Sequence, residues 1–327
     1  MTKLRIKGVP VETNRLGFGC WAIGGELFRG ETAIGWGKVD DSESTRAIRT
    51  AFDLGIGFFD TADVYGAGRS ERVVGSALKP IRDQVAIATK VGNCFDEANR
   101  LATGENADPE YILNACDASL KRLQTDVIDL YQFHINGFDE DRVAPVIEAF
   151  EKLVGAGKIR AYGWSTDFIP KAERFLAGEH NASVQFQNNV LDPNMAMMRF
   201  CEKRELAGIN RGPLAMGLLT GKYTAASQIG AGDVRGTQAP EWMSYFKGGK
   251  PNAAFLDKID AVKEILRSGG RTLAQGAIAW LWGASPRNVP IPGIRTVEQA
   301  KENAGALQFG PLLPDQVTEI DKLLSRG

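Results

Sequence analysis

The feature that most constrains the fold of this chain is the regular alternation of strand-like and helix-like segments along most of its length. The helix-like stretches carry start and stop signals, such as Asp108 and Pro109 ahead of a periodic apolar segment. Between them lie eight short apolar runs typical of buried strands, at residues 16–20, 57–62, 85–91, 127–134, 159–165, 183–190, 208–214 and 289–294. Eight alternating units without a break in composition predict an α/β fold, a closed (β/α)8 TIM barrel with sequential strand order.

Three segments lie outside this alternation. Two short strands are predicted around residues 9–13, before the first barrel strand. Residues 21–41 and 224–252 are rich in glycine and follow the first and seventh strands, so on a barrel they form long loops over the carboxyl-terminal face. Such loops build a site or a lid, or else are insertions without a function. No repeat, low-complexity tract or linker divides the chain, so residues 1–327 are expected to form one domain.

The composition argues against several kinds of partner. The 39 basic and 40 acidic residues are interspersed and give a formal net charge of −1, which provides no basic face for nucleic acid or an anionic membrane. Residues 1–17 contain no apolar run long enough for a signal peptide or a membrane span, so a cytoplasmic protein is expected. The four widely spaced cysteines fit a reducing compartment, and with only two histidines no metal site is predicted.

Three ionisable residues lie at the ends of three successive predicted strands: Asp60, Lys90 and His134. In a parallel barrel these ends are neighbours at one rim, and Tyr65 follows Asp60 closely enough to fold back toward them. Taken singly, each has an ordinary structural explanation as a capping aspartate, a rim lysine, a half-buried histidine or a loop aromatic. Together they predict one shared pocket, because a lysine that ends a strongly apolar strand needs a partner, and the aspartate provides one.

Side chains of these four types indicate acid catalysis at a carbonyl group. A tyrosine with its usual pKa is a poor acid at neutral pH, and a nearby ammonium group is expected to lower that pKa by stabilising the phenolate. We therefore expect Lys90 to activate Tyr65 as the proton donor. Asp60 is expected to hold Lys90 in place, while His134 donates a hydrogen bond to the substrate oxygen. Such a site requires a source of hydride.

Six segments of the chain form a combination that is specific in both content and order. They are GFGCW (17–21), GFFDTADVYGAGRSERVVGSAL (57–78), ATKVG (88–92), LKRLQTDVIDLYQFH (120–134), GPLAMGLLTGKY (212–223) and PIPGIRTVEQAKEN (290–303). Through these segments, which are spread over nearly the whole chain, the sequence resembles the aldo-keto reductase superfamily. The resemblance implies a barrel closed at the bottom by an amino-terminal β-hairpin. It also implies NADPH-dependent reduction of carbonyl groups, with a catalytic tetrad formed by Asp60, Tyr65, Lys90 and His134.

The resemblance also assigns a cofactor site. Ser165 and Gln187 match positions that bind the nicotinamide carboxamide, and Thr166 stands where the family usually has asparagine. Residues 212–217 match the loop that wraps the pyrophosphate, and residues 293–303 match the adenosine end. The full set of expected cofactor residues is Cys20, Trp21, Asp60, Ser165, Thr166, Gln187, Arg211, Gly212, Pro213, Leu214, Ala215, Gly217, Lys222, Gly293, Arg295, Gln299, Glu302 and Asn303.

Two arginines bear on the choice of cofactor. Arg295 lies at the adenosine end, where a guanidinium can pair with a 2′-phosphate, so NADPH is predicted in preference to NADH; a surface charge at a helix start is the alternative. Arg211 replaces an aromatic residue that often stacks on the nicotinamide in this family. Its guanidinium can stack as well, but its charge is expected to favour the reduced cofactor over the cationic oxidised one. Because no GxGxxG motif follows a strand, a Rossmann domain is not expected.

The expected substrate-binding residues are Trp21, Tyr65 and His134. Trp21 and Trp36 either line the pocket or pack the first long loop against the barrel, and aromatic residues at 242–246 can close over the substrate. A small-molecule carbonyl is expected, with a small aldehyde or a sugar-derived carbonyl favoured. Two other functions stay open: a cofactor-binding regulatory subunit of a larger assembly, and an NAD-dependent dehydrogenase working in the oxidative direction. The sequence indicates no oligomeric state.

Overall fold

The computed structural model describes residue 3 and residues 5–326, and strands and helices alternate along them. The strands in this part of the chain are β1 (Gly17–Gly19), β2 (Phe28–Arg29), β3 (Thr32–Ala33), β4 (Phe58–Asp60), β5 (Ala86–Val91), β6 (Asn93–Asp96), β7 (Leu101–Glu105), β8 (Ile128–Phe133), β9 (Ile159–Ser165), β10 (Asn181–Gln187), β11 (Ala207–Arg211), β12 (Phe246–Lys247), β13 (Lys250–Pro251) and β14 (Asn288–Pro290). The α-helices are α1 (Trp21–Gly24), α2 (Asp41–Asp53), α3 (Arg69–Leu78), α4 (Pro109–Leu123), α5 (Ala144–Gly155), α6 (Ile169–Phe175), α7 (Met195–Lys203), α8 (Ala253–Leu266), α9 (Leu273–Ala284), α10 (Val297–Ala304), α11 (Ala306–Phe309) and α12 (Pro314–Leu323).

Eight of these strands form one parallel sheet that curls into a barrel. Each is hydrogen-bonded to the next in the order β1-β4-β5-β8-β9-β10-β11-β14. The last strand meets the first at Gly19, whose N–H donates to Pro292 O at 2.9 Å and whose carbonyl accepts from Ile294 N at 3.3 Å. The predicted (β/α)8 barrel with sequential strand order is therefore confirmed.

Each of the eight predicted runs overlaps one barrel strand, but β10, β11 and β14 begin one or two residues before their runs, and several runs extend beyond the end of the strand. The run 208–214 extends past β11, which ends at Arg211 because Gly212 has a left-handed φ of 65°. The run 289–294 likewise extends beyond β14. The apolar pattern continues past both strand ends because Leu214 and Ile294 are buried in the rim of the barrel.

The contact that closes the barrel at Gly19 leaves no space for a side chain. A Cβ at this position would lie 2.6 Å from the carbonyl oxygen of Ile291, a backbone atom that cannot rotate away. We expect Gly19→Ala to lower the free energy of unfolding by about 1–3 kcal/mol, the usual cost of overpacking a core, as measured by urea denaturation. Gly57→Ala is the matched control, because no atom lies within 4 Å of a Cβ there. Equal losses in the two variants would contradict this prediction.

The lower half of the barrel is filled by small and apolar side chains. Phe58, Leu130 and several alanines of the strands are buried there together with Ile6 and Val9 of the amino-terminal segment. Residues 6–9 form a turn in which Val9 N donates to Ile6 O at 3.0 Å. This segment thus packs against the bottom of the barrel. In the described part of the chain no strand with defined bounds precedes β1, and within residues 9–13, where two short strands are predicted, only Thr13 takes part in a β-bridge.

The longer helices pack around the barrel, and most of them bury one face. Helix α4 begins at Pro109 after Asp108, as the sequence predicts. Helix α9 is buried on nearly all sides and starts with a capping box, in which Gln275 N donates to Thr272 Oγ1 and Thr272 N donates to Gln275 Oε1. Within residues 5–326, no helix is long and apolar enough to cross a membrane.

A second, smaller sheet lies beside the mouth of the barrel. It has the order β3-β2-β7-β6 and joins the long segment after β1 to the segment after β5. The other long segment, after β11, also reaches across the mouth, where Val234 N donates to Gly35 O at 2.9 Å. Both long segments predicted to lie over the carboxyl-terminal face therefore do so, and they contact one another above it.

Candidate active site

The structure brings the four predicted ionisable residues together at the carboxyl-terminal mouth of the barrel. Asp60 ends β4, Lys90 lies near the end of β5, and His134 follows β8 directly. Lys90 Nζ lies 2.6 Å from Asp60 Oδ1 and 3.2 Å from Tyr65 Oη. The rings of Tyr65 and His134 are nearly perpendicular, with centroids 6.0 Å apart. The phenol therefore lies between a buried ammonium group and an imidazole.

A tight loop between β4 and α3 holds Tyr65 in this position. Tyr65 N donates to Ala62 O at 3.2 Å, and Gly68 N donates to Asp63 O at 2.7 Å. The loop presses against α1 at Gly66, which has a left-handed φ of 60°, and a side chain there would overlap the carbonyl of Gly24. The backbone on both sides of Tyr65 is thus fixed.

Lys90 is fully buried and keeps its charge through its partners. Burial favours the neutral amine, but the Asp60 carboxylate in contact with it raises the pKa of Lys90 above its usual value. Lys90 Nζ also donates to Thr61 O at 2.6 Å. The ammonium group is therefore a permanent positive charge beside the phenol.

Two glutamines that the sequence analysis missed hold the other oxygen of Asp60. Gln132 Nε2 and Gln185 Nε2 donate to Asp60 Oδ2 at 2.9 and 2.8 Å, and both side chains are buried. Each lies two residues before a predicted site residue, His134 and Gln187, and so faces the barrel interior on the same side of its strand. Both glutamines could have been predicted from the sequence, because each is a polar residue within an otherwise apolar strand.

The prediction that the pKa of Tyr65 is lowered is wrong, because the net shift is upward. Burial of the phenol raises the pKa of Tyr65 above its usual value, and the positive charge of Lys90 opposes that rise without overcoming it. The loops packed over the mouth cause the burial. Tyr65 is therefore protonated at neutral pH, which is the form that can donate a proton.

His134 is a neutral imidazole in this environment. Burial lowers the pKa of His134 well below its usual value, and the positive charges of Lys90 and Arg211 lower it further. Its Nδ1 atom is buried and has no hydrogen-bond partner among the residues that the structure describes. A neutral imidazole has one N–H to donate, which suits a group that orients an uncharged carbonyl oxygen.

The residues expected at the nicotinamide end lie side by side at the rim. Ser165 ends β9 and Gln187 ends the adjacent strand β10. The Thr166 hydroxyl bonds to Asn136 O and to the Phe168 N–H, both at 3.3 Å, so it is engaged within the protein. Cys20 is fully buried, and burial raises the pKa of its thiol. Cys20 is thus placed as a packing residue.

The loop expected to wrap the pyrophosphate has an unusual backbone. Gly212, Ala215, Met216 and Gly217 all have positive φ, between 48° and 97°. Left-handed backbone at successive residues turns N–H groups toward a common side, which is how anion-binding concavities form. Strained alanine and methionine conformations of this kind cluster at functional sites. Of the other expected residues, Pro213 and Leu214 are buried and Lys222 is exposed.

The residues expected at the adenosine end lie near or on α10. Arg295 donates from its guanidinium to Trp36 O at 3.3 Å and to Lys38 O at 2.8 Å, which links it to the first long segment. Its backbone N donates to Gln299 Oε1 at 2.7 Å. Glu302 is half-buried and Asn303 is buried, so the two differ in their access to a ligand. Gly293 lies at the closing contact of the barrel.

Aromatic side chains extend from Tyr65 to the solvent. Trp21 stacks on Tyr65 with centroids 6.1 Å apart, and Trp242 lies 6.3 Å from Trp21 with 57% of its surface exposed. Trp36 packs edge-on against Trp21 and lies under the guanidinium of Arg235, 4.5 Å from its ring. Of the three tryptophans, Trp21 and Trp242 border the mouth.

A phenol held against a lysine ammonium group at the mouth of a parallel barrel has the chemistry of a proton donor. Comparison with known proteins identifies the class of enzyme to which the chain belongs. A sequence model of the aldo/keto reductase family matches residues 15–325. The chain belongs to the aldo/keto reductase family.

Known proteins agree with this assignment. The chain is 33% identical to the aldo-keto reductase YhdN of Bacillus subtilis, over 89% of this chain and 84% of that protein. It is 31% identical to the aldo-keto reductase yakc [NADP(+)] of Schizosaccharomyces pombe, over 90% of this chain and 83% of that protein. Among solved structures, the glycerol dehydrogenase of Gluconobacter oxydans superposes with a TM-score of 0.82 at 29% identity, covering 99% of this chain and 95% of that one.

Proposed function

We propose that this protein reduces an aldehyde or a ketone to an alcohol, with hydride from NADPH and a proton from Tyr65. The observation that supports this most strongly is the contact of Tyr65 Oη with the buried ammonium group of Lys90 at 3.2 Å. A phenol that gives up its proton becomes negatively charged, and a fixed cation at that distance stabilises the phenolate. The site is thus prepared for the charge that forms in the reaction.

Each of the other three residues supports this proton transfer. Asp60, in contact with Lys90, keeps the ammonium group charged and in place. The neutral imidazole of His134 donates a hydrogen bond to the carbonyl oxygen and orients it toward Tyr65. NADPH, when bound, would supply the hydride to the carbonyl carbon. Tyr65 gives its proton to the carbonyl oxygen. Solvent then returns a proton to Tyr65.

The cofactor is NADP(H), as the name of the Schizosaccharomyces pombe relative also specifies for that protein. The residues present fit such a group. The left-handed backbone at residues 212–217 suits the pyrophosphate, and Arg295 offers a guanidinium for the 2′-phosphate. Ser165 and Gln187 end adjacent strands at the rim, which supports their proposed role in binding the carboxamide. The four cysteines are free, which suits a reducing compartment such as the cytoplasm.

The substrate that we propose is a small aldehyde or a sugar-derived carbonyl. Trp21 stacks on Tyr65 and Trp242 lies against Trp21, so the two indoles provide flat apolar surfaces beside the phenol. Indole faces pack against apolar rings and against the C–H face of a sugar alike, while their edges leave the carbonyl free to reach Tyr65. A mouth bordered in this way selects by shape more than by charge.

The test is NADPH consumption by the purified protein across a panel of aldehydes, ketones and oxidised sugars, with NADH in parallel. We expect turnover with NADPH on at least one aldehyde or sugar-derived carbonyl. Tight NADPH binding without turnover on any carbonyl would contradict the proposal and favour a regulatory subunit instead.

The name of the Gluconobacter oxydans structure, a glycerol dehydrogenase, favours a second candidate, oxidation of an alcohol at the same site. Faster turnover of polyols with the oxidised cofactor would support that candidate.

Arg295 determines the choice between NADPH and NADH in this proposal. Replacing it by methionine (Arg295→Met) removes the guanidinium that pairs with the 2′-phosphate, and we expect the KM for NADPH to rise roughly tenfold, the effect of losing one charge-assisted hydrogen-bonded pair. The KM for NADH of the same variant is the internal control and is expected to change little. Parallel changes in both constants would show that Arg295 acts through the loop carbonyls of Trp36 and Lys38 instead.

A further inference from the structure

Arg211 and Asp167 form an ion pair at the rim of the barrel that the sequence analysis did not predict. Arg211 ends β11, and Asp167 lies two residues after the end of β9, with β10 between them. Arg211 Nη2 donates to Asp167 Oδ2, and Arg211 Nη1 donates to Gln187 Oε1 at 3.4 Å. The guanidinium is therefore held by a carboxylate and does not extend freely into the mouth.

Asp167 is itself fixed by its neighbours. Its Oδ1 accepts from Gln187 N at 2.8 Å, and its own N–H donates to Asn136 Oδ1 at 3.0 Å. Its carbonyl accepts from Asn194 Nδ2 at 3.3 Å. The side chains of Arg211 and Asp167 are 35% and 28% exposed, so the pair is partly shielded from solvent but still accessible from the mouth. Its two charges therefore have fixed positions.

The pair is close enough to the reacting groups to act on them. The charge of Arg211 contributes to lowering the pKa of His134, after burial and the charge of Lys90. Gln187, the residue placed for the carboxamide, contacts both members of the pair. A nicotinamide held by Gln187 is therefore within the field of both charges.

We propose that the Asp167–Arg211 pair sets the relative affinity of the protein for the oxidised and the reduced cofactor. This inference rests on the proposed function. The nicotinamide ring is positively charged in NADP⁺ and neutral in NADPH, so a fixed charge beside it changes the two affinities unequally. Arg211 by itself disfavours NADP⁺, and Asp167 by itself favours it. In contact, the two charges oppose each other, and the bias toward reduced cofactor expected from Arg211 alone is cancelled.

The test is the ratio of two dissociation constants, Kd for NADP⁺ divided by Kd for NADPH, measured by fluorescence titration without substrate. Asp167→Asn leaves the charge of Arg211 uncompensated, and we expect the ratio to rise roughly tenfold, given the strength of charge pairs near a protein surface. Arg211→Met leaves the charge of Asp167 uncompensated, and the ratio is expected to fall by a similar factor. The double variant is expected to return close to the unmodified protein.

Controls separate charge from packing. Arg211→Lys keeps the positive charge and is expected to keep the ratio, and melting temperatures show whether each variant is folded. If either single variant is unfolded, a second neutral replacement at the same position, Arg211→Gln or Asp167→Ser, takes its place, with the ratio expected to shift in the same direction. Equal ratios in all folded variants, or shifts in the same direction for Asp167→Asn and Arg211→Met, would overturn this inference alone. An unmodified protein that binds neither form of the cofactor would overturn the proposed function as well.

Discussion

Tyr65→Phe is expected to lower kcat for carbonyl reduction by about 10²–10⁴-fold, the usual contribution of a general acid. The substitution removes one oxygen atom and leaves the ring that packs against Trp21 and His134. Without the phenol, the carbonyl oxygen has no proton donor in contact with Lys90. The measurement is the steady-state rate of NADPH oxidation with a saturating carbonyl substrate.

The dissociation constant for NADPH and the melting temperature of Tyr65→Phe are expected to remain close to those of the unmodified protein. Tyr111→Phe is the matched control, since this half-buried tyrosine donates to Asn93 O at 3.3 Å and contacts none of the four residues at the mouth. A Tyr65→Phe variant as active as Tyr111→Phe would mean that another group donates the proton.

Lys90→Met is expected to lower the free energy of unfolding by about 3–5 kcal/mol, the usual cost of breaking a buried ion pair. The substitution leaves the buried Asp60 carboxylate without its cation, although Gln132 and Gln185 still donate to it. The double variant Asp60→Asn/Lys90→Met removes the orphaned charge and is expected to regain part of the loss. Urea denaturation of both variants gives the free energies, and NADPH oxidation is expected to be lost in both.

The exposed pair between Lys158 and Asp117 provides the matched control for that measurement. Both side chains are well exposed, so Lys158→Met is expected to change the free energy of unfolding by less than about 1 kcal/mol. If the double variant at Asp60 and Lys90 were no more stable than Lys90→Met, the loss would come from packing and not from an uncompensated charge.

The barrel and the four residues at its mouth could be predicted from the sequence because both follow from the strands. Each apolar run overlaps a barrel strand, and the ends of neighbouring parallel strands lie together, so Asp60 and Lys90 meet although they are 30 residues apart. Tyr65 required only a short loop. The same reasoning failed for the exact strand ends, since the apolar pattern does not distinguish a strand from a buried rim residue such as Leu214.

The remaining parts of the site depend on contacts between loops, which no local pattern encodes. Arg235 is buried beside Trp36 and donates to Met216 O at 3.0 Å, although these residues come from three distant positions in the chain. The pairing of Asp167 with Arg211 needs the register of three strands. The predicted direction of the pKa shift of Tyr65 was wrong for a related reason. Whether the pKa rises or falls depends on how completely the loops cover the mouth.

The measurement that tests the central claim most directly is the fate of deuterium from the reduced cofactor. Unmodified protein incubated with NADPH that is deuterated at the transferring position is expected to place one deuterium on the former carbonyl carbon of the alcohol, as read by mass spectrometry. Tyr65→Phe is expected to form the same product at least about a hundredfold more slowly. A protein that binds NADPH but yields no deuterated alcohol from any carbonyl compound would contradict the account.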